Sequence, residues 1–344
     1  MGEAGFEAAT SVWRFVLEKT NQRQVAYEEQ IAQTRMHLAA LLEANQDWAE
    51  AAKVLMAMPL DSGHRQVDDL TKAQVYVRIV RLLLEDEDSV SAESYLNRAS
   101  LLVNKQEFED NKSHEALLLS LQFKASQARL LDFKRLFQLA AQKYHQLSYL
   151  NVMALEERLV CLEQAVVCAI LAPAGPGRSR LLATLYKDDR VRESPECATI
   201  FYPILEKMYL DRILRASEID GFRQTLKSHQ LAKLSDGTTV LDRAVIEHNV
   251  LAASKIYTSI RFAELASLLG VSGAVAAESV VSRMVGEGRV EGRIDQIEGM
   301  VYFFDGRQVD LLGNGIRGVC EQVDGVVEEV IKRNQDWVTK QLDR

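Results

Sequence analysis

The chain has 344 residues, with 41 Lys and Arg against 49 Asp and Glu and a formal net charge of −8. Such a surface repels a phosphate backbone more than it attracts one, which argues against a nucleic-acid carrier. Apolar residues make up 47% and charged residues 26%, the balance of a globular chain, and no run of about 18 apolar residues offers a membrane span.

The opening MGEAGFEAAT lacks the basic start and apolar core of a signal peptide, so a soluble intracellular protein is expected. From Trp13 to about Leu234 the pattern predicts helix after helix. Tyr27, Ile31, Leu38, Leu41 and Leu42 make one apolar stripe, and Ala73, Tyr76, Val77, Val80, Leu83 and Leu84 make another. Three segments overlay: DWAEAAKVLMAM, DSVSAESYLNRA and LFQLAAQKYHQL. Ala51, Ala92 and Ala140 then coincide, as do Leu55, Leu96 and Tyr144, and Met58, Ala99 and Leu147, at offsets of 41 and 48 residues. A small residue followed four later by a large one lets helices nest, the logic of a right-handed solenoid of the tetratricopeptide kind in degenerate form. An irregular helical bundle is the alternative.

Between Leu155 and Arg215, Pro173 and Pro176 break one helix and start another. The PAGPG loop there lacks the strand before it and the Lys-Ser or Lys-Thr after it that a phosphate loop requires. Pro203 marks a boundary or kink in the apolar stretch SPECATIFYPILEKMYLDRIL. From Val240 to Phe304 the periods change in the order helix, strand, helix, helix, hairpin, with KIYTSI as the first strand, Gly270 closing the second helix, and RVEGRIDQ and GMVYFF as the hairpin. This is the order of a winged helix. Its third helix offers one basic residue, Arg283, against Glu278 and Glu287. Its hairpin offers Arg289 and Arg293 against Glu291, Asp295 and Glu298, too few cations for a DNA reader.

GNGIRG matches the dinucleotide fingerprint, but the residues after it read as helix rather than as a second strand with an acidic tip. In that helix Ile316, Val319, Val323, Val326, Val330 and Trp337 fall on a coiled-coil-like seam, either for a partner bundle or for packing back on the winged helix. No catalytic chemistry emerges. The six histidines form no H-x-H or H-E-x-x-H pair. Cys161, Cys168, Cys197 and Cys320 have no metal-ligand spacing, and His248 suits a structural hydrogen bond. The acidic run from Glu85 to Asp88 lacks the glycine and the twelfth-position glutamate of a calcium loop.

A mainly α chain with a solenoid, a winged helix and a terminal helix resembles the PCI family, shared by the proteasome lid, the COP-9 signalosome and a translation initiation factor. The strings DWAEAAKVLMAMPL, LEDEDSVSAESYLNRASLL, SRLLATLYKDDR, ILEKMYLDRIL, LDRAVIEHNVLAASKIYTSI and DQIEGMV resemble its signalosome branch, from about Gln30 to Trp337. Val103 to Ser120 and Arg192 to Ala198 depart from it, and the chain is short at the N-terminal end that reaches toward the ligase in the family. The resemblance implies a solenoid over 1–150, a PCI domain over 151–306 (helical part 151–235, winged helix 236–306) and a bundle helix over 307–344. It also implies a non-catalytic scaffold with no cofactor or metal, in cytoplasm and nucleus. The partners implied are other signalosome subunits of PCI and MPN type and a cullin-RING ubiquitin ligase, with no DNA and no membrane. The role implied is support of deneddylation, whose zinc isopeptidase belongs to an MPN subunit. A scaffold of the proteasome lid is the alternative.

Overall fold

A residue with a side chain held at positive φ crowds its own carbonyl, so such residues recurring at matched places point to a repeated design. In the computed structural model, which describes residues 3–21, 27–58, 60, 67–103, 113–194, 197–234, 237–304 and 306–333, Gln46, Glu87 and Arg135 have φ of 65°, 62° and 61°. Their separations are those of the overlaid alanines, 41 and 48 residues. Each ends a long helix: α2 (Glu28–Ala44), α4 (Asp69–Glu85) and α6 (His114–Phe133). The amide that follows then reaches back five residues, Asp47 N–H to Leu42 O at 3.0 Å, Asp88 to Leu83 at 2.9 Å and Leu136 to Leu131 at 2.9 Å. These closures take up carbonyls that a helix end leaves unmet.

The chain then enters α3 (Trp48–Met56), α5 (Ser89–Val103) and α7 (Phe137–Ser148). There Ala51, Ala92 and Ala140 are wholly buried, and Leu55, Leu96 and Tyr144 are buried with them. The sequence overlay therefore corresponds to three helical hairpins of one construction. Gln46 and Arg135 are exposed, so glycine at either place relieves the left-handed cost at no packing loss. We expect Gln46→Gly and Arg135→Gly each to raise unfolding free energy by about 0.5–1 kcal/mol in urea titrations, the relief exceeding the extra chain entropy of glycine.

Two boundaries differ from the sequence expectation. Helix α1 (Glu3–Asn21) starts well before Trp13, because EAGFEAAT holds no helix breaker beyond one glycine. The first stripe begins at Ile31, since Tyr27 is 42% exposed. Beyond α7 come α8 (Leu155–Leu171), α9 (Pro176–Tyr186), which has proline at its first position, and the short α10 (Arg190–Glu193). A π-helical turn at Cys197–Phe201 runs into α11 (Tyr202–Tyr209). Pro203 has no N–H for the regular ladder, and the widened turn lies immediately before it. After α12 (Ala216–Thr225), a 3-10 turn at Ser228–Gln230 is tied to the solenoid through buried Asp132. That carboxylate accepts from Gln230 Nε2 at 3.0 and 3.1 Å and from the Cys168 thiol at 3.7 Å, with His229 Nε2 at 3.1 Å. Burial, then the Asp132 charge, pushes the Cys168 thiol up, so it is a donor here and not a nucleophile.

Two compact units divide the chain: Met1–Pro173, Gly177–Glu206 and Asp220–Leu241 form the first, and Ala174–Pro176, Lys207–Ile219 and Asp242–Arg344 the second. The second is built on α13 (Val240–Ile256), β1 (Ser259–Arg261), α14 (Phe262–Leu269), α15 (Ala274–Gly286), β2 (Gly292–Asp295) and β3 (Met300–Phe303). The sheet order is β1-β3-β2, antiparallel throughout, with Ile260 and Ile294 both opposite Val301. Val250, Phe262, Leu265, Val281, Met284 and Val301 form its core. Gly270 closes α14 at φ 68°. This is the expected winged helix with one boundary moved: Lys255 and Ile256 complete α13, so only Ser259 and Ile260 of KIYTSI join the sheet. The last helix, α16 (Gly306–Arg333), runs straight through GNGIRG, which is helical rather than a phosphate-binding turn.

Candidate protein-interaction surface

Four arginines of the winged helix, Arg243, Arg283, Arg289 and Arg293, have partners within the unit. Glu247 of α13 is 2% exposed and faces three arginines. Arg243 Nε donates to it at 3.0 Å, one turn earlier on the same helix. Arg289, at the entry to the hairpin, donates through Nη1 at 2.5 Å and Nη2 at 3.2 Å. Arg283 of α15 comes within 3.5 Å, and the Ala174 amide donates at 3.5 Å. Burial pushes the Glu247 carboxyl up, but the hydrogen bonds from Arg289 and Arg243 more than reverse this and hold it below its ordinary value. Arg293 lies over the Tyr302 ring, 5.4 Å from its centroid. So the three cations that the sequence offered for phosphate contacts, Arg283, Arg289 and Arg293, all have intramolecular partners. Sequence reasoning noted these charges singly. Only Arg243 and Glu247, one turn apart, carried a readable pairing signal.

His248 is structural. His248, fully buried, has Nε2 2.9 Å from the Arg212 carbonyl, and Asn249 beside it bonds both the amide and the carbonyl of Leu214 at 2.9 Å. Cys168 and Cys197 are buried, Cys161 half-buried and Cys320 exposed; His64 lies outside the described residues. Among the described residues no group of three or more His, Cys, Asp or Glu is placed to hold a metal ion, and no single helix is long and apolar enough to cross a membrane.

The surface that stands out is on α16. Val319, Val323 and Val326 are 59%, 54% and 61% exposed, and Val327 beside them is 49% exposed. They form one continuous face at spacings of three and four. Its far side carries the Glu328–Lys332 pair, and the Glu329–Arg333 pair runs along its flank. Ile316 and Val330 lie within the helix, though their side chains are outside the described residues, as is Trp337 altogether. The helix is intrinsically weak: Gly313, Gly315, Gly318 and Gly325 all interrupt it, each costing roughly 1 kcal/mol relative to alanine. At Gly318 and Gly325 an added Cβ meets nothing within 4 Å. We expect Gly318→Ala with Gly325→Ala to slow amide exchange across α16, with a gain of about 1 kcal/mol per site.

Comparison with known proteins places these features in one family. Residues 7–155 match the family described as PSMD12/CSN4, N-terminal, and residues 223–305 match the PCI domain. The COP9 signalosome complex subunit 4 of Drosophila melanogaster is 44% identical over 94% of this chain and 76% of its own length. That of Arabidopsis thaliana is 42% identical over 97% and 82%, and that of Dictyostelium discoideum 45% identical over 92% and 77%. With its solenoid hairpins, its PCI winged helix and this similarity along nearly its whole length, the chain belongs to the family of COP9 signalosome complex subunit 4 proteins.

Proposed function

We propose that this chain is a non-catalytic scaffold subunit of a COP9 signalosome, acting in cytoplasm and nucleus. Its winged helix joins neighbouring PCI domains, and its last helix inserts into a bundle shared with other subunits through Ile316, Val319, Val323, Val326, Val330 and Trp337. The observation that carries this reading is the exposed valine face on a glycine-weakened α16. A helix of such low propensity is stable in water only when its apolar face is covered, so folding and assembly are coupled. Each large side chain buried there would contribute roughly 1.5–3 kcal/mol before ordering costs. On the winged helix, β1 and β2 are the outer strands of the sheet, edges of the kind that pair with another chain. In this assembly an MPN-type subunit supplies the isopeptidase that removes the ubiquitin-like modifier from cullin-RING ubiquitin ligases, and the solenoid contacts the ligase.

Gentle affinity purification of the tagged chain, with stoichiometric partners identified by mass, tests the reading. Recovery with PCI and MPN signalosome subunits, lost on deleting Val309 to Arg344, supports it. Recovery with proteasome lid subunits moves the assignment to the lid. Recovery alone sinks the scaffold reading.

A further inference from the structure

Two lysines of the first unit are set apart from the chain's excess of acid. Helix α7 carries no carboxylate, and those of α6, Glu115 and Asp132, sit at its two ends. Nearby cations are already engaged: Arg129 with Glu85 at 2.7 Å, and Lys134 with Glu93. Lys124 and Lys143 have no ion pair or hydrogen bond among the described residues. Both line a cleft of about 340 Å³ between α5, α6 and α7, near the lower limit of specific ligand pockets. Phe123 and Leu147, 5% and 2% exposed, are its buried apolar lining. Gln127 and Gln146 add two amides beside the lysines. Among the described residues the lining includes no carboxylate. Helical spacing produces this grouping: Phe123, Lys124 and Gln127 share one side of α6, as Lys143, Gln146 and Leu147 share one side of α7.

We propose that this cleft docks an acidic peptide segment of a partner protein. One aliphatic side chain of the peptide packs on Phe123 and Leu147. A neighbouring Asp or Glu carboxylate accepts from the Lys124 and Lys143 ammonium groups, and the peptide backbone bonds the Gln127 and Gln146 amides. Two point cations over an apolar floor suit a carboxylate beside an aliphatic group. Phosphate recognition favours the bidentate fork of arginine, which this lining lacks, and a nucleic acid needs a longer basic track. In a chain of net −8, such a local positive spot also steers an acidic partner to one place.

The test is fluorescence anisotropy on the full chain with short labelled peptides of Leu-Glu-Glu-Leu type, their Leu-Gln-Gln-Leu counterparts, and inorganic phosphate as competitor. The acidic peptides are expected to bind at least about tenfold more tightly than the neutral ones, and more weakly as salt rises. Lys124→Gln with Lys143→Gln should lower affinity by about tenfold, and the double change to Glu by more, with the helical circular dichroism unchanged. Equal binding of acidic and neutral peptides, no binding of the acidic ones, indifference to both lysine variants, or displacement by phosphate as effective as by unlabelled peptide would each overturn the proposal. These variants leave α16 untouched, so failure here and failure of the scaffold reading are separate results.

Discussion

Replacing Glu247 with glutamine is expected to destabilise the winged-helix unit by roughly 3–5 kcal/mol, the loss found when one side of a buried ion pair is removed and the other stays. Glu247 joins α13, through itself and Arg243, to α15 through Arg283 and to the hairpin through Arg289. Glutamine keeps the size but removes the charge, leaving the mostly buried Arg289 beside a neutral amide. Among the described residues its guanidinium has only the half-exposed Glu287 as a second anion. Loss of this carboxylate therefore uncouples three elements at once rather than breaking one bond. The same carboxylate sets an acid limit. Its pKa is lowered from the ordinary 4.5, so in the unfolded chain it protonates at higher pH than in the folded one. Its stabilisation is thus fully present above about pH 4.5 and is lost as pH falls through the lower folded value. Chemical denaturation of wild type and Glu247→Gln across this range checks both claims. The stability gap between them should shrink toward acid, and a gap that stays constant with pH would mean that the charge is not what holds the cluster.

How much of this was legible in the sequence depended on whether the signal was local. Three hairpins could be laid over one another from Ala51, Ala92 and Ala140 because burial at a helix crossing selects small residues, and small residues are visible one at a time. The caps that make the hairpins alike were not visible, since Gln46, Glu87 and Arg135 share a backbone conformation but no chemistry. The winged helix was legible from its change of period and from Gly270. Its first strand was placed too early because Ile256 and Tyr257 have strand propensity, while the hydrogen bonds of α13 carry the chain past them. The Glu247 cluster draws on residues 42 apart in sequence, and no spacing rule reaches that far. Lys124 and Lys143 were likewise ordinary surface lysines until α6 and α7 lay side by side. The valine seam sat in plain view because a single helix writes its own face.

That seam carries the prediction with the largest functional effect. Val323→Asp together with Val330→Asp is expected to release the chain from its assembly while leaving the isolated chain about as stable as before. Two buried valines contribute at least about 3 kcal/mol to a bundle, so their loss alone weakens association more than a hundredfold. Two carboxylates forced into the same seam add their desolvation. In the isolated chain the cost is small, because Val323 is already 54% exposed and aspartate loses only a few tenths of a kcal/mol of helix propensity against valine. Measuring both quantities separates the two fates open to this helix. Detachment in co-purification with an unchanged urea midpoint places the covering partner on another chain. A fall in the midpoint of the isolated protein would mean that α16 folds back on its own chain, and normal assembly of the double variant would remove the seam from the interface altogether. The glycines sharpen the contrast. Gly318→Ala with Gly325→Ala pre-forms the helix without touching the seam, so it should tighten assembly by removing part of the ordering cost, and it should fail to rescue the aspartate variant.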